Sequence, residues 1–405
     1  MDQAPEYGLI DADNHYYEPE DCFTRYGDES VQKFVKWVSE GKRKRLLFGN
    51  VMQTMVANPT FDPITKPGIM HQRLKELAEG GERRNVHGMD STRFVLERLP
   101  EYYRDRDARL QVMDEQQLEQ VWMFPTLAVG VEGLNPDSID MTYKVFRAFN
   151  RWLEDDWGWA YRDRIYSAAA IPVLDPERAV EELDFVLERG ARLITLRPGP
   201  TNGRSPGERE WDPFWARLQD ADVPVAYHIH GGADQYDAAF KLLYQRYGVT
   251  DPGYHANLKS ALYFGDRSIL DTIISLVLGN VFGRFPKLRV ATVELGCAWV
   301  EYCMHVLDHA GVSITNRYIE AFGETVEERP SEVFKRHVWV SPFPEEDIPR
   351  LVEAIGADRV LFGSDWPHAE GTEQPGDYLR YLDAFDADTT RKILRDNAAA
   401  LVASA

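Results

Sequence analysis

The sequence GLIDADNH, residues 8–15, decides the fold. It is a short apolar run that ends abruptly in carboxylates and an imidazole, and seven further apolar runs of similar length recur along the 405-residue chain. Most of them precede an amphipathic stretch of helical length, a repetition typical of α/β folds with parallel strands. Eight such units predict a (β/α)8 barrel. The strands are expected at residues 8–13, 120–125, 165–172, 191–198, 223–228, 288–294, 337–341 and 359–365.

Residues 20–105 interrupt this regularity between the first strand and the helix that follows it. Loops this long inside a compact domain are usually lids or subdomains. We therefore expect one barrel domain over residues 1–405, with the insertion as a lid over the barrel mouth or, equally, as a packing or dimer subdomain. The basic cluster at residues 42–45 is predicted to be a solvated face.

The charge balance excludes several classes of protein. The chain has 46 Lys+Arg against 66 Asp+Glu, a formal net charge of −20, so most of its surface repels nucleic acids and anionic membranes. The N-terminal residues lack the pattern of a signal peptide, and the sequence has no apolar run of about 18 residues. These features predict a cytoplasmic enzyme whose partner is a small-molecule substrate, with no nucleic acid and no membrane.

Four predicted strands end in metal-binding residue types. Active sites of such barrels lie at the carboxyl ends of the strands, and strand residues two apart share a face. Carboxylates and imidazoles packed into one mouth repel each other or stay unpaired unless a cation neutralises them. Nitrogen and oxygen ligands suit Zn, Mn or Fe, so a divalent metal ion is the predicted cofactor. The candidate residues are Asp13 and His15, His228 and His230, Glu294, and Asp365.

Three motifs resemble the amidohydrolase superfamily. They are Asp-x-Asp-x-His-x-x-Glu-Pro at residues 11–19, FPKLR at 285–289 leading into Glu294, and LFGSDWPH at 361–368. The most similar branch includes aminocarboxymuconate semialdehyde decarboxylase and the resorcylate and vanillate decarboxylases. The resemblance implies a TIM barrel of the metal-dependent hydrolase type, whose metal is held by the residues Asp13, His15, His228 and Asp365. It also implies a homodimer or an oligomer with a related subunit.

The sequence departs from the superfamily on strands four and six. Glu294 stands where many members have a histidine, and strand four offers Arg197 but no lysine to bridge two metals. The first functional hypothesis is therefore hydrolysis or non-oxidative decarboxylation of a small, possibly aromatic, organic acid at one metal ion. Asp365 would be both a ligand and a proton acceptor, and Glu294 or His230 would be the general acid or base.

Substrate contacts are predicted for Arg197, Trp299 and Tyr17. Arg197 could clamp a carboxylate with two hydrogen bonds, although an ion pair with a protein acid explains it equally well. The two aromatic residues lie near predicted strand ends and would line a pocket for a small aromatic or apolar acid. His368 is predicted to orient a metal ligand.

Two other hypotheses assign the same fold a different function. In the first, Glu294 bridges a second metal with His230 or His255, which gives a dinuclear Fe/Fe or Fe/Mn oxygenase. In the second, the chain is a non-catalytic partner subunit with a structural metal. Metal content and stoichiometry distinguish the first alternative from a mononuclear enzyme.

Overall fold

A computed structural model describes residues 5–41, 43–53, 55–56, 58–70, 96–135, 137–230, 266–313 and 326–403. The strands are β1 Leu9–His15, β2 Val35–Glu40, β3 Arg43–Phe48, β4 Val51–Met52, β5 Ile64–Thr65, β6 Leu96–Glu97, β7 Leu118–Phe124, β8 Ile165–Ser167, β9 Ala169–Ala170, β10 Ile194–Leu196, β11 Val225–His228, β12 Val290–Val293 and β13 Val338–Val340. The α-helices are α1 Glu29–Phe34, α2 Arg106–Glu115, α3 Ile139–Asp156, α4 Pro176–Glu188, α5 Asp212–Ala221, α6 Asp266–Leu278, α7 Val281–Arg284, α8 Val300–Ser313, α9 Pro330–His337, α10 Ile348–Ile355, α11 Ala387–Arg391 and α12 Asn397–Val402.

Parallel strands form the predicted barrel in sequence order. One sheet has the order β1-β7-β8 and a second has β13-β12-β11-β10-β9, with every neighbouring pair parallel. The two sheets join at the third barrel strand, because β8 pairs with β7 while β9, two residues later, pairs with β10. Each strand leads into helices that cover the outside, as the repeated strand–loop–helix pattern predicts.

Residues 360–366 supply the eighth strand position and close the ring. Val360 forms a parallel bridge with Val340 of β13, and Trp366 forms one with Asn14 of β1. Between these bridges, the Ala12 amide donates to the Phe362 carbonyl at 2.9 Å. The predicted eighth strand is thus present as an irregular segment, and it brings the ends of strands one and eight side by side.

The interior of the barrel and its outer layer have separate hydrophobic clusters. The inner cluster includes residues from the five barrel strands β1, β7, β8, β11 and β12 and from the eighth segment, among them Ile10, Ala12, Phe124, Ala226 and Val293. The outer cluster packs the helices against the strands. At the start of α4, the Asp175 side chain accepts from the Arg178 amide at 3.1 Å and caps the helix.

The insertion forms two small antiparallel sheets, β2-β3-β4 and β5-β6. Residues of the basic cluster pair with acids at the surface, Lys44 with Glu20 at 2.6 Å and Arg45 with Glu40 at 2.8 Å. This confirms a solvated, ion-paired face for these two residues. Within the described part of the chain, no helix has both the length and the apolar character needed to cross a membrane.

Candidate active site

A bulge in β1 aims the first two candidate ligands into the barrel mouth. Ile10 and Ala12 belong to the inner hydrophobic cluster, so strict alternation would turn Asp13 and His15 away from it. The pairing of β1 with β7 shifts register between Asp11 and Asn14, and such bulges re-aim side chains beside active sites. The prediction that Asp13 and His15 share a face is right, but strand alternation alone does not explain their direction.

The ends of strands one, five, six and eight converge on one point. His15 Nε2 lies 3.3 Å from Asp13 Oδ1 and 3.3 Å from Asp365 Oδ1. His228 Nε2 lies 3.2 Å from Glu294 Oε2 and 3.7 Å from Asp13 Oδ1. Potential ligand atoms of Asp13, His15, His228 and Glu294 all lie within 4.8 Å of one another. The barrel therefore gathers in space the residues that the sequence separates by up to 352 positions, as the range from Asp13 to Asp365 gives.

Unusual backbone conformations place the two distal carboxylates. Glu294 has φ of 53° and Asp365 has φ of 54°, both in the left-handed region that non-glycine residues rarely adopt. Glu294 follows Val293 of the inner cluster, so the left-handed turn brings its carboxylate back toward the mouth. Strain of this kind concentrates at functional sites.

The buried donor atoms fit a metal ion. Asp13, His15 and His228 are at most 3% exposed. Among them, Asp13 Oδ1, His15 Nε2 and His228 Nε2 have no hydrogen-bond partner. A buried polar atom without a partner costs free energy, and a shared cation would satisfy all three at once.

The electrostatics of the site also favour a positive charge at this point. Burial lowers the pKa of His15, but the neighbouring carboxylates of Asp13 and Asp365 outweigh it and raise the value to about 10. Burial raises the pKa of Glu294 well above its usual range, and the charges of Asp365 and Asp13 raise it further. Both causes favour the protonated form of Glu294 next to the candidate ligands.

A buried polar network joins strands one and eight beneath the ligands. The Ser364 amide donates to Asp11 Oδ1 at 2.9 Å, and Asn14 Nδ2 donates to Asp11 Oδ2 at 2.8 Å. Arg109, fully buried on α2, donates to Asn14 Oδ1 at 2.6 Å and to the His15 carbonyl at 2.7 Å. The network fixes the backbone on both sides of the candidate ligands. Sequence reasoning missed Arg109, because one arginine on an amphipathic helix gives no signal of its burial.

Gly363 allows the two strands to approach. A Cβ atom there would lie 2.7 Å from Asp13 Cβ and 2.5 Å from Ser341 Oγ. Any other residue would push strand eight away from Asp13.

His368 connects the eighth segment to the loop after β7. Its Nδ1 lies 2.6 Å from Asp365 Oδ1, and its Nε2 lies 3.1 Å from Thr126 Oγ1. The ring also lies over His15, with centroids 3.9 Å apart. This geometry agrees with the predicted orienting role of His368, whereas Thr126 was not identified from the sequence.

A cavity of about 310 Å³ opens over the candidate ligands. Tyr17 lines it, and its hydroxyl donates to the Pro367 carbonyl at 3.3 Å. The insertion supplies a large part of the wall. The lining residues are His15, Tyr17, Met55, Val56, Asn58, Phe61, Pro63, Ile64, Thr65, Pro125, Thr126, Val129, His228, Ile229, Glu294, His368, Ala369 and Glu370.

Three other predicted residues, Arg197, Trp299 and His230, take different places. Arg197 lines a separate cavity of about 20 Å³, and Trp299 lies in the outer core with its indole N–H bonded to the Gly296 carbonyl at 3.0 Å. His230 Nδ1 lies 3.2 Å from the His228 carbonyl, and burial lowers its pKa to about 3. His230 belongs to neither group of clustered donors in the described residues. His255 lies outside the described residues.

The barrel and its donor cluster define a metal-binding enzyme of the TIM-barrel class. The amidohydrolase family profile matches residues 10–403. The chain belongs to the amidohydrolase family, which confirms the resemblance and the fold predicted from the sequence.

Three individual proteins are similar to this chain over most of its length. A solved amidohydrolase structure from Mycobacterium avium subsp. paratuberculosis K-10 is 38% identical, with a TM-score of 0.86 over 99% of this chain and 100% of that one. Gamma-resorcylate decarboxylase from Rhizobium sp. (strain MTP-10005) is 25% identical over 304 residues, 72% of this chain and 85% of the relative. Dihydroxybenzoic acid decarboxylase from Polaromonas sp. JS666, solved with bound manganese and the inhibitor 2-nitroresorcinol, shares the fold at 18% identity and a TM-score of 0.58, over 98% of this chain and 97% of that one.

Proposed function

We propose that this chain is a metal-dependent carboxy-lyase that removes CO2 from a small aromatic acid without a redox change. The observation that carries the proposal is the convergence of unpartnered Asp13, His15 and His228 donor atoms beside the carboxyl group of Glu294, whose pKa burial raises. The decarboxylase activity of the Rhizobium relative supports the reaction class. The manganese bound in the Polaromonas structure supports manganese as the metal ion of this chain.

Asp13, His15, His228 and Asp365 would hold the metal. There a bound ion would supply a Lewis acid and a template for the substrate carboxylate and a neighbouring phenol oxygen. His368 orients Asp365 through the 2.6 Å contact, and Thr126 holds the other side of the His368 ring. The network of Arg109 and Asp11 keeps strands one and eight in register below these groups.

Glu294 is the proton donor in this mechanism. Its carboxyl group delivers a proton to the ring carbon that bears the carboxylate. The bond from that carbon to the carboxylate then breaks, its electron pair returns to the ring, and CO2 leaves. The Glu294 carboxylate recovers a proton from water. The net change replaces a carboxylate on the ring with hydrogen.

The test is CO2 release by the manganese-reconstituted chain from a panel of hydroxybenzoates in D2O. We expect one deuteron at the vacated ring carbon for each CO2 released. His228→Ala, which removes a proposed ligand, should release none. Absence of CO2 from every acid in the panel, or product without deuterium at that carbon, would contradict the proposal.

A second candidate function is a dinuclear oxygenase. A second group of donors, His15, Glu294, Asp365 and His368, also places its ligand atoms within 4.8 Å of one another. In this alternative Glu294 binds metal instead of donating a proton. Two metal ions per chain, including iron, together with dioxygen consumption would favour the oxygenase; one ion and no dioxygen consumption would favour the lyase.

A further inference from the structure

The lining of the cavity over the donor cluster comprises two chemically different sets of residues. The first set, called here the polar end, carries the candidate ligands and proton donor and consists of His15, His228, Glu294, His368 and Glu370. The second set, called here the apolar end, comes from the insertion and is mostly apolar, with Met55, Val56, Phe61, Pro63 and Ile64 beside the uncharged polar residues Asn58 and Thr65.

Backbone hydrogen bonds hold the apolar end at a fixed place relative to the donors. The Gly68 amide donates to the His368 carbonyl at 3.2 Å, and the Met70 amide donates to the Ala369 carbonyl at 2.8 Å. Phe61 stacks on Tyr17, with ring centroids 4.4 Å apart and planes at 23°. The insertion is thus fastened both to the loop that carries His368 and to the segment that follows His15.

Met55 shows that this apolar wall is incompletely covered by the described protein. It is 43% exposed although it lines the cavity. Exposed apolar surface at the mouth of a polar site is surface that a bound ligand can cover. Its continuity with the donor cluster identifies the occupant as the substrate itself.

We propose that the site selects aromatic acids that carry an apolar substituent, such as an alkyl chain, on the side of the ring remote from the carboxylate. The proposal rests on the proposed function, which places the carboxylate at the donors. The ring then lies beside Tyr17, and the substituent reaches Met55, Val56 and Ile64. Among the described lining residues there is no lysine or arginine, so no such residue pairs a second substrate carboxylate at the apolar end.

The experiment compares two inert analogues on the manganese-loaded chain by calorimetry. In 2-nitrophenol and 4-butyl-2-nitrophenol, a nitro group replaces the carboxylate and cannot leave as CO2. Each methylene that becomes buried strengthens binding about fourfold. We expect the butyl analogue to bind at least tenfold more tightly than 2-nitrophenol. Equal affinities, or weaker binding of the butyl analogue, would overturn the proposal.

Two matched variants test whether the butyl group contacts Met55. Met55→Ser should reduce the preference for the butyl analogue at least threefold and leave 2-nitrophenol binding unchanged. Met52→Ser is the control, because Met52 is 42% exposed on the same insertion and does not line the cavity. It should preserve the full preference. An equal loss of the preference for the butyl analogue in both variants would contradict the proposed contact between the alkyl group and Met55.

Failure of this proposal is distinguishable from failure of the proposed function. The binding measurement needs no turnover, so a preference for the butyl analogue with no CO2 release would refute the lyase and retain the selectivity. CO2 release with no such preference would retain the lyase and refute the selectivity.

Discussion

The junction of strands one and eight and the wall built by the insertion meet at the same cavity but are constructed differently. In the junction, buried side chains bond to one another: the Ser364 hydroxyl donates to Asp11 Oδ2, and Arg109 donates to Asn14 Oδ1. In the insertion wall, apolar side chains face the cavity, and ion pairs such as Lys66 with Glu373 lie at the surface. The barrel therefore holds the candidate donors in position, whereas the insertion shapes the part of the cavity remote from them.

The largest effect is expected from removing a proposed ligand in the barrel. His228→Ala should abolish stoichiometric manganese binding, measured by elemental analysis, and lower kcat/KM at least 1000-fold, because one of the convergent donors disappears. His337→Ala is the control: His337 is also buried, but it bonds the Leu288 carbonyl and stacks on Phe282 outside the site. It should lose stability and retain metal. Full metal content in His228→Ala would refute the site assignment.

A smaller effect, on the chemical step alone, is expected for Glu294→Gln. The amide keeps the size of the side chain but cannot donate a carboxylic proton, so kcat should fall about 10²- to 10⁴-fold. Manganese content should remain at one ion per chain. Loss of the metal in this variant would instead make Glu294 a ligand and favour the dinuclear alternative.

The network beneath the ligands should affect stability and metal affinity together. Arg109→Met leaves the acceptors Asn14 Oδ1 and the His15 carbonyl without a charged donor in a buried place, and we expect a loss of about 3 kcal/mol of stability. Because both acceptors flank the ligands, the manganese Kd should also rise at least tenfold. Chemical denaturation and metal titration measure the two quantities.

Arg45→Met is the matched control for the network, because Arg45 makes an ion pair with the exposed Glu40. It should change stability by less than about 1 kcal/mol and leave the metal Kd unchanged. If Arg109→Met lowered stability without changing the metal Kd, the network would support the fold and not the ligands.

Features of the fold and the candidate site that depend on neighbouring residues could be predicted from the sequence, whereas features that depend on distant segments could not. The eight strand positions and the location of Asp13, His15, His228 and Asp365 at strand ends follow from local patterns, since apolar runs mark strands and polar residues mark their ends. The prediction that these four residues hold a metal comes from the resemblance to the amidohydrolase superfamily. The β1 bulge, the left-handed turn at Glu294 and the burial of Arg109 depend on contacts with distant segments, which no local pattern records. Trp299 and Arg197 also lie near predicted strand ends, but Trp299 packs in the outer core and Arg197 lines a separate cavity. A position near a strand end therefore does not determine which cavity or core a side chain enters.

The smallest effect is expected where the insertion wall is tied to the barrel by charge. Lys66 and Glu373 form a 2.6 Å ion pair, but their side chains are 44% and 52% exposed, so water screens the attraction. Lys66→Met should therefore change stability by no more than about 1 kcal/mol and KM by less than threefold, since the backbone bonds of Gly68 and Met70 to the same loop persist. Lys33→Met, which removes the exposed pair with Glu29, is the control. A tenfold rise in KM for Lys66→Met alone would show that the position of the insertion wall depends on this ion pair. The insertion wall would then be coupled to the loop that follows strand eight by charge as well as by backbone hydrogen bonds.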